Sequence, residues 1–270
     1  MRKRNLPFLP YGLWMIVFTV LPVLLIVYYA FTNKQGEFTL ANIMRMGEYA
    51  DVLFRSLGLA AIATVICLLL AFPFAYFMSR TSMKKQRTYI MLIMLPMWSS
   101  LLLRTYAWMT LLENNGFINK LLGVFGLGPF HMINTSGAVV LGMVYDFLPF
   151  MILPLYSVMS KIDRSLLEAA DDLGADSAQT LRRVILPLSV PGILSGITMV
   201  FVPAASTFVI SRLLGGGSNL LIGDLIETQF VGSTYNPWFG SALSLFLMVV
   251  ILIIIAVTRH FDRNEEGGII

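Results

Sequence analysis

One cysteine, Cys67, and two histidines, His131 and His260, are all that 270 residues offer for thiol or imidazole chemistry. A single thiol excludes an intrachain disulfide and any multi-cysteine metal site. Cys67 lies inside an apolar run and reads as a small buried hydrophobe. Both histidines sit outside the apolar runs, so a membrane-embedded enzyme has few metal ligands or nucleophile–base pairs to converge. The three glycines Gly215, Gly216 and Gly217 are not followed by Lys-Ser or Lys-Thr, which excludes a P-loop. There is no HExxH pair and no Gly-x-Ser-x-Gly elbow, so the chain is not expected to hydrolyse ATP itself. Charge is scarce too, at 13% of residues, against about a quarter in soluble domains.

Apolar residues fill the gap. They make up 57% of the chain, and the mean hydropathy is +0.78. They fall in long blocks, and a membrane-spanning helix needs about 20 such residues. Six blocks qualify, near 11–31, 57–78, 89–112, 138–158, 189–210 and 241–258, which predicts an all-α integral membrane protein. The first block is too long for a signal peptide, and no small-residue cleavage site follows it, so it reads as an uncleaved span. Placing the N-terminus inside puts Arg2, Lys3, Arg4, Arg80, Lys84, Lys85, Arg87, Lys161, Arg164, Arg182, Arg183, Arg259 and Arg263 on the cytoplasmic side, most of the 19 basic residues. Both termini are then cytoplasmic. Anionic lipid accounts for the net charge of +4, and no nucleic-acid partner is needed.

Several features interrupt the spans. Pro73, Pro96, Pro149, Pro154, Pro191 and Pro203 lie inside them. Such prolines either kink helices to pack or free carbonyls along a water-filled pathway. Arg104 and Asp146 each fall about 12 Å deep at 1.5 Å per residue. Either they form an ion pair tying the third and fourth spans, or Asp146 faces a pathway and meets a cation.

The longest polar stretch between two apolar runs is Ser165–Pro187. Ser165 with Glu168, and Asp176 with Gln179, each fit a capping box. Gly174 fits a left-handed stop between two short helices, and Pro187 is expected to close the second. Leu166, Ala170 and Leu173 share one helical face. From these residues alone, the segment is a helix–Gly–helix knuckle on the cytoplasmic surface. Glu168-Ala169-Ala170, then Gly174, then Leu186-Pro187 resemble the EAA loop of ABC-importer permeases, with Val184 where isoleucine is usual. The resemblance implies a type I importer permease fold of six spans. It also implies that Glu168, Ala169, Ala170, Asp172, Leu173, Gly174, Ala175, Leu186 and Pro187 form a coupling helix for a cytoplasmic ATPase. The other possibility is an amphipathic surface helix in which Glu168 is only a cap residue.

The stretch 203–240 is the second informative region. It ends the fifth span with Pro203–Arg212, turns flexibly at Leu213–Asn219, and forms a short re-entrant or interfacial helix over Leu220–Phe230. Gly215-Gly216, Asn219-Leu-Leu-Ile-Gly223 and Trp238-Phe-Gly240 resemble PotB-type spermidine/putrescine permeases. So do Ala71-Phe-Pro-Phe-Ala75, Leu148-Pro-Phe-Met151, Pro154-Leu-Tyr156 and Asp172-Leu-Gly-Ala175. The resemblance implies a PotC-like second permease subunit, two copies of an ATPase carrying the ATP and Mg, and an extracytoplasmic polyamine-binding protein. No cofactor is expected on this chain. It also implies a bacterial inner membrane and alternating access. A core transport domain is expected over 53–260, after an N-terminal segment 1–52 and before a tail 261–270. Candidate pathway residues are Asp146, Phe208, Arg212 and Glu227. Arg212 stands where a polyamine pathway calls for an acid, and Glu227 either neutralises it or supplies the negative charge. Alternatively Arg212 snorkels to the outer interface and Glu227 is solvated. Permeases for another small cationic or organic solute, and ion-coupled secondary transporters, remain the other classes. The second is disfavoured by the single deep acid and by the lack of a repeat between halves.

Overall fold

The computed structural model describes residues 8–217, 219–232 and 234–266, with side chains omitted at 8–9 and 259–266. The basic N-terminus Arg2, Lys3, Arg4 and the end of the tail lie outside the described residues, as do the side chains of Arg259, His260 and Arg263.

Long apolar segments in hydrocarbon must satisfy every backbone polar group internally, which forces helices. Among the described residues, five helices are long and apolar enough to cross a membrane: α1 (Pro10–Ala30), α2 (Ala41–Ser79), α6 (Ser136–Met159), α8 (Ser177–Ser206) and the first part of α11 (Pro237–Glu266). A sixth crossing is a bent pair, α3 (Met83–Trp98) followed by Leu101–Val124, at 87° to each other. Within the second piece, α4 (Leu101–Leu112) and α5 (Phe117–Val124) are separate helices. Three short helices also lie among the described residues: α7 (Arg164–Asp172), α9 (Val209–Gly215) and α10 (Ile222–Phe230).

Small residues hold the centre together. Ala60, Ala63, Cys67, Ala71 and Ala75 form a fully buried stripe on α2. The large residues that fill the space belong to α6: Met143, Met151, Leu155 and Met159, all fully buried. On the other side of α6, Gly196 of α8 faces Met151 so closely that a Cβ there would meet its sulfur at 2.5 Å. Lipid tails are as apolar as leucine, so spans associate through close packing of this kind rather than through the hydrophobic effect. Cys67 sits in this seam as the small hydrophobe expected from its context. By contrast α1 is almost wholly exposed and docks along α11, with Tyr29 edge-on to Trp238 at 6.1 Å.

Several sequence expectations need correction. The third span is not one helix over 89–112. Pro96 turns its end into a 3₁₀ segment, Ser99 and Ser100 are extended, and the chain turns before α4. Pro187 does not close the second knuckle helix. A π turn at Leu181–Ile185 precedes it and the helix runs on to Ser206. The wide turn removes the clash between the proline ring and the preceding carbonyls, so the break is relieved before the ring arrives. The cap of α7 is Asp163, whose carboxylate accepts from the Ser165 amide at 3.1 Å, rather than Ser165 with Glu168. A carboxylate two positions earlier takes the free amide first.

The remaining prolines, Pro73, Pro149, Pro154, Pro191 and Pro203, lie within continuous helices. The fifth span stops at Ser206, four residues before its expected end, and α9 already covers Leu213–Gly215 of the stretch expected to turn.

Candidate functional site: a capped helical knuckle and a carboxylate cluster

The knuckle is built by its caps. Asp176 accepts from the Gln179 amide at 2.7 Å, and the Gln179 side chain accepts in return from the Asp176 amide at 3.3 Å. Gly174 takes φ +76°. The Ala175 amide then reaches the Ala170 carbonyl at 3.0 Å and the Gly174 amide reaches the Asp171 carbonyl at 2.9 Å. This is a complete Schellman stop. Hydrogen bonding from the Ser165 amide holds the Asp163 carboxyl below its usual range. Of the face Leu166, Ala170 and Leu173, only Ala170 is buried, and Leu173 is 88% exposed. Glu168, Ala169 and Asp172 are exposed as well, and so are Leu186 and Pro187, while Ala175 is half-buried. Leu166 and Leu173 thus leave an exposed apolar surface on a capped helix.

At the far end of α8, the chain turns through Thr207 into α9 and then α10. Gly223 packs against the carboxyl end of α8, where a Cβ would lie 2.4 Å from the Thr207 carbonyl. The Ile222 amide donates to Ser56 Oγ of α2 at 2.8 Å. Asn219 ties the turn to α6 by donating to the Asn134 and Gly215 carbonyls at 2.9 and 2.8 Å. Its Oδ1 accepts from Ser136 Oγ at 3.1 Å and from Arg55.

On this pinned frame sit two carboxylates and one guanidinium. Arg212 of α9 grips Glu227 of α10 with both terminal nitrogens, Nη1 to Oε1 at 3.2 Å and Nη2 to Oε2. Its Nε lies 3.8 Å from Asp224 Oδ1. The Asp224 side chain is wholly buried, and Arg212 is 45% exposed. The other Asp224 oxygen accepts from the Leu221 amide at 2.9 Å. Burial pushes the Asp224 carboxyl up, while the hydrogen bond from Arg212 holds Glu227 below its usual range. Glu227 thus neutralises Arg212, one of the two roles its position allowed. Phe208 precedes α9, 40% exposed, and its carbonyl accepts from the Arg212 amide.

Asp224, Arg55 and Ser56 escaped sequence reasoning, and Asn219 was noted only as the start of a motif. Asp224 and Glu227 at i and i+3 were a readable signal, because that spacing puts two acids on one helix face. Arg55 and Ser56 carry no local signal, since they act across more than 160 residues of chain.

Asp146 is elsewhere, paired with Arg104 Nη1 at 3.0 Å and almost fully buried. The contact is one of charge rather than of an aligned hydrogen bond. Arg104 Nε and Nη1 and Asp146 Oδ1 have no hydrogen-bond partner among the described residues. The ion-pair expectation holds.

A family profile, the binding-protein-dependent transport system inner membrane component, matches residues 4–266. The chain belongs to this family of importer permeases. The permease is 41% identical over 262 residues to the spermidine/putrescine transport system permease protein PotB of Haemophilus influenzae, covering 93% of this chain and 91% of that one. It is 39% identical over 260 residues to PotB of Escherichia coli, covering 93% and 94%. In fold it matches a chain of a bacterial ABC transporter that imports alginate, with TM-score 0.80 at 18% identity over 95% of this chain and 93% of the other. That importer's architecture, a type I permease fold, is the architecture of this permease. It is a multi-pass membrane protein.

Proposed function

We propose that this permease subunit forms half of the translocation pathway of an ATP-driven polyamine importer. The observation that carries the substrate class is the 41% identity to a spermidine/putrescine permease across nearly the whole chain. The carboxylate cluster supports it, because two carboxylates on one short helix are chemistry suited to an ammonium. The knuckle is the ATPase dock. Its caps and Schellman stop make it stiff, and Leu166 and Leu173 are the apolar surface it buries on a motor subunit. The rest of the assembly is a second permease subunit, two ATPases that carry ATP and Mg, and a binding protein that delivers substrate. The subunit lies in a bacterial inner membrane with both termini in the cytoplasm, so that the knuckle faces the motor. ATP closes the motor, the knuckles approach, and the two bundles rock outward. Hydrolysis returns the pathway to the inside.

The test is uptake of labelled spermidine, putrescine and an uncharged control into vesicles bearing the whole complex, with and without ATP. ATP-dependent accumulation of either amine but not of the control is the expected result. Equal uptake of the control, or uptake driven by an ion gradient without ATP, overturns the reading.

A further inference from the structure

The carboxylate cluster has an unusual balance. Two carboxylates, Asp224 and Glu227, face one guanidinium. Glu227 is satisfied by a two-pronged contact. Asp224 is less fully served: the neighbouring Ser211 hydroxyl favours its charged form, but its Oδ1 is fully enclosed, has no partner in hydrogen-bonding geometry among the described residues and faces the Arg212 Nε from 3.8 Å. A buried acceptor left open is costly, and it is retained here in a wall pinned on three sides. Ser56 holds the start of α10, Gly223 seats it against α8, and Asn219 anchors the turn before it. The acids are therefore fixed. The guanidinium is the mobile member, being half exposed on a long, rotamer-rich stem.

We propose that Arg212 is a tethered stand-in for the substrate's ammonium, which rests on the Asp224–Glu227 pair in the empty subunit and is displaced when a delivered amine takes its place. A primary ammonium presents three donors on a compact head and reaches deeper than a planar guanidinium. It satisfies Glu227 as Arg212 does and also supplies the donor that Asp224 Oδ1 lacks. The released Arg212 swings toward its open side, and α9 and α10 lose the ionic tie between them. An uncharged solute has nothing to exchange and leaves the tie closed, so the pair selects by charge. This rests on the polyamine reading above and deepens it.

The experiment compares Arg212→Gln with Glu227→Gln in the complete complex, with spermidine uptake and ATPase rate as readouts. Both variants cut the same ion pair. If the pair is only a brace, both shift the apparent KM in the same direction. If Arg212 competes with substrate, they shift it in opposite directions. Arg212→Gln is expected to lower KM about threefold, the factor held by a half-exposed ion pair. It should also raise the ATPase rate without substrate. Glu227→Gln is expected to raise KM about tenfold or more through loss of a charge-assisted contact. Arg212→Lys guards against misfolding of the glutamine variant. It keeps the charge and loses the fork, and its KM is expected between those of wild type and Arg212→Gln. Parallel shifts, or an unchanged KM in both arginine variants, overturn the displacement while wild-type uptake still stands. Absence of amine uptake by the wild type sinks the polyamine reading and the displacement with it.

Discussion

Arg104 Nη1 and Asp146 Oδ1 stand 3.0 Å apart between α4 and α6, with only 12% and 2% of their side chains exposed. In a low-dielectric interior each charge is tolerable only because of the other. Arg104→Leu or Asp146→Leu alone is expected to destabilise the protein by about 3–5 kcal/mol, and the double change Arg104→Leu with Asp146→Leu by clearly less. Thermal unfolding of the purified protein in detergent checks this. If the double variant is as unstable as the sum of the singles, the two charges do not compensate each other.

Gly223 makes a sharper steric case. A methyl group there would sit 2.4 Å from the Thr207 carbonyl and 2.6 Å from that of Ser206. Gly223→Ala must push α10 off the end of α8, and overpacking of this kind costs about 1–3 kcal/mol. A lower melting temperature together with a loosened Arg212–Glu227 pair is the expected outcome. The readout is hydrogen exchange of the 222–230 amides.

Gly174 tests the knuckle without any clash. Its φ is +76° and nothing lies within 4 Å of a built Cβ. Gly174→Ala therefore carries only the backbone penalty of a left-handed residue, about 1–2 kcal/mol. Faster exchange confined to amides 164–176, with the spans unchanged, is the expected signature.

Leu173 is 88% exposed on the proposed ATPase dock. Leu173→Asp is expected to leave the subunit's melting temperature unchanged. It should weaken ATPase binding about 30-fold, the equivalent of roughly 2 kcal/mol of apolar burial. Co-purification and titration with the ATPase measure it.

The Glu227 carboxyl is held low by its hydrogen bonds from Arg212. A depressed folded-state value contributes stability that is complete above the unfolded value, about 4.3 for glutamate, and is lost as pH falls through the folded value. Asp224, pushed up by burial, acts with the opposite sign. Comparing wild type with Glu227→Gln removes most of that second effect, since Glu227 is only the smallest of the causes acting on Asp224. The difference in their melting temperatures is expected to be constant from pH 7 to about pH 5 and to shrink below about pH 4.3.

The long apolar blocks and the knuckle were legible in the sequence because both depend on local rules. Hydrocarbon thickness sets span length, and a glycine between two capped helices announces itself. Asp176 with Gln179 and the left-handed Gly174 were read residue by residue. Pro187 misled, since a π turn three-dimensionally undoes what a proline does in one dimension. The break at Ser99–Ser100 was hidden inside an unbroken run of hydropathy, which reports burial in lipid and not direction. The carboxylate cluster was half visible. Arg212 and Glu227 drew notice as charges out of place, while the supports from Arg55, Ser56 and Asn219 are long-range contacts that no periodicity records.

The uninterrupted helix from Ser177 to Ser206 has a mechanical consequence. Thirty residues at 1.5 Å each make a lever arm of about 45 Å. One degree of tilt about its Ser177 end then sweeps the opposite tip by about 0.8 Å. A few degrees, the scale of ordinary packing shifts, would carry Thr207 and Gly223 as far as the gap that now separates Arg212 from Asp224.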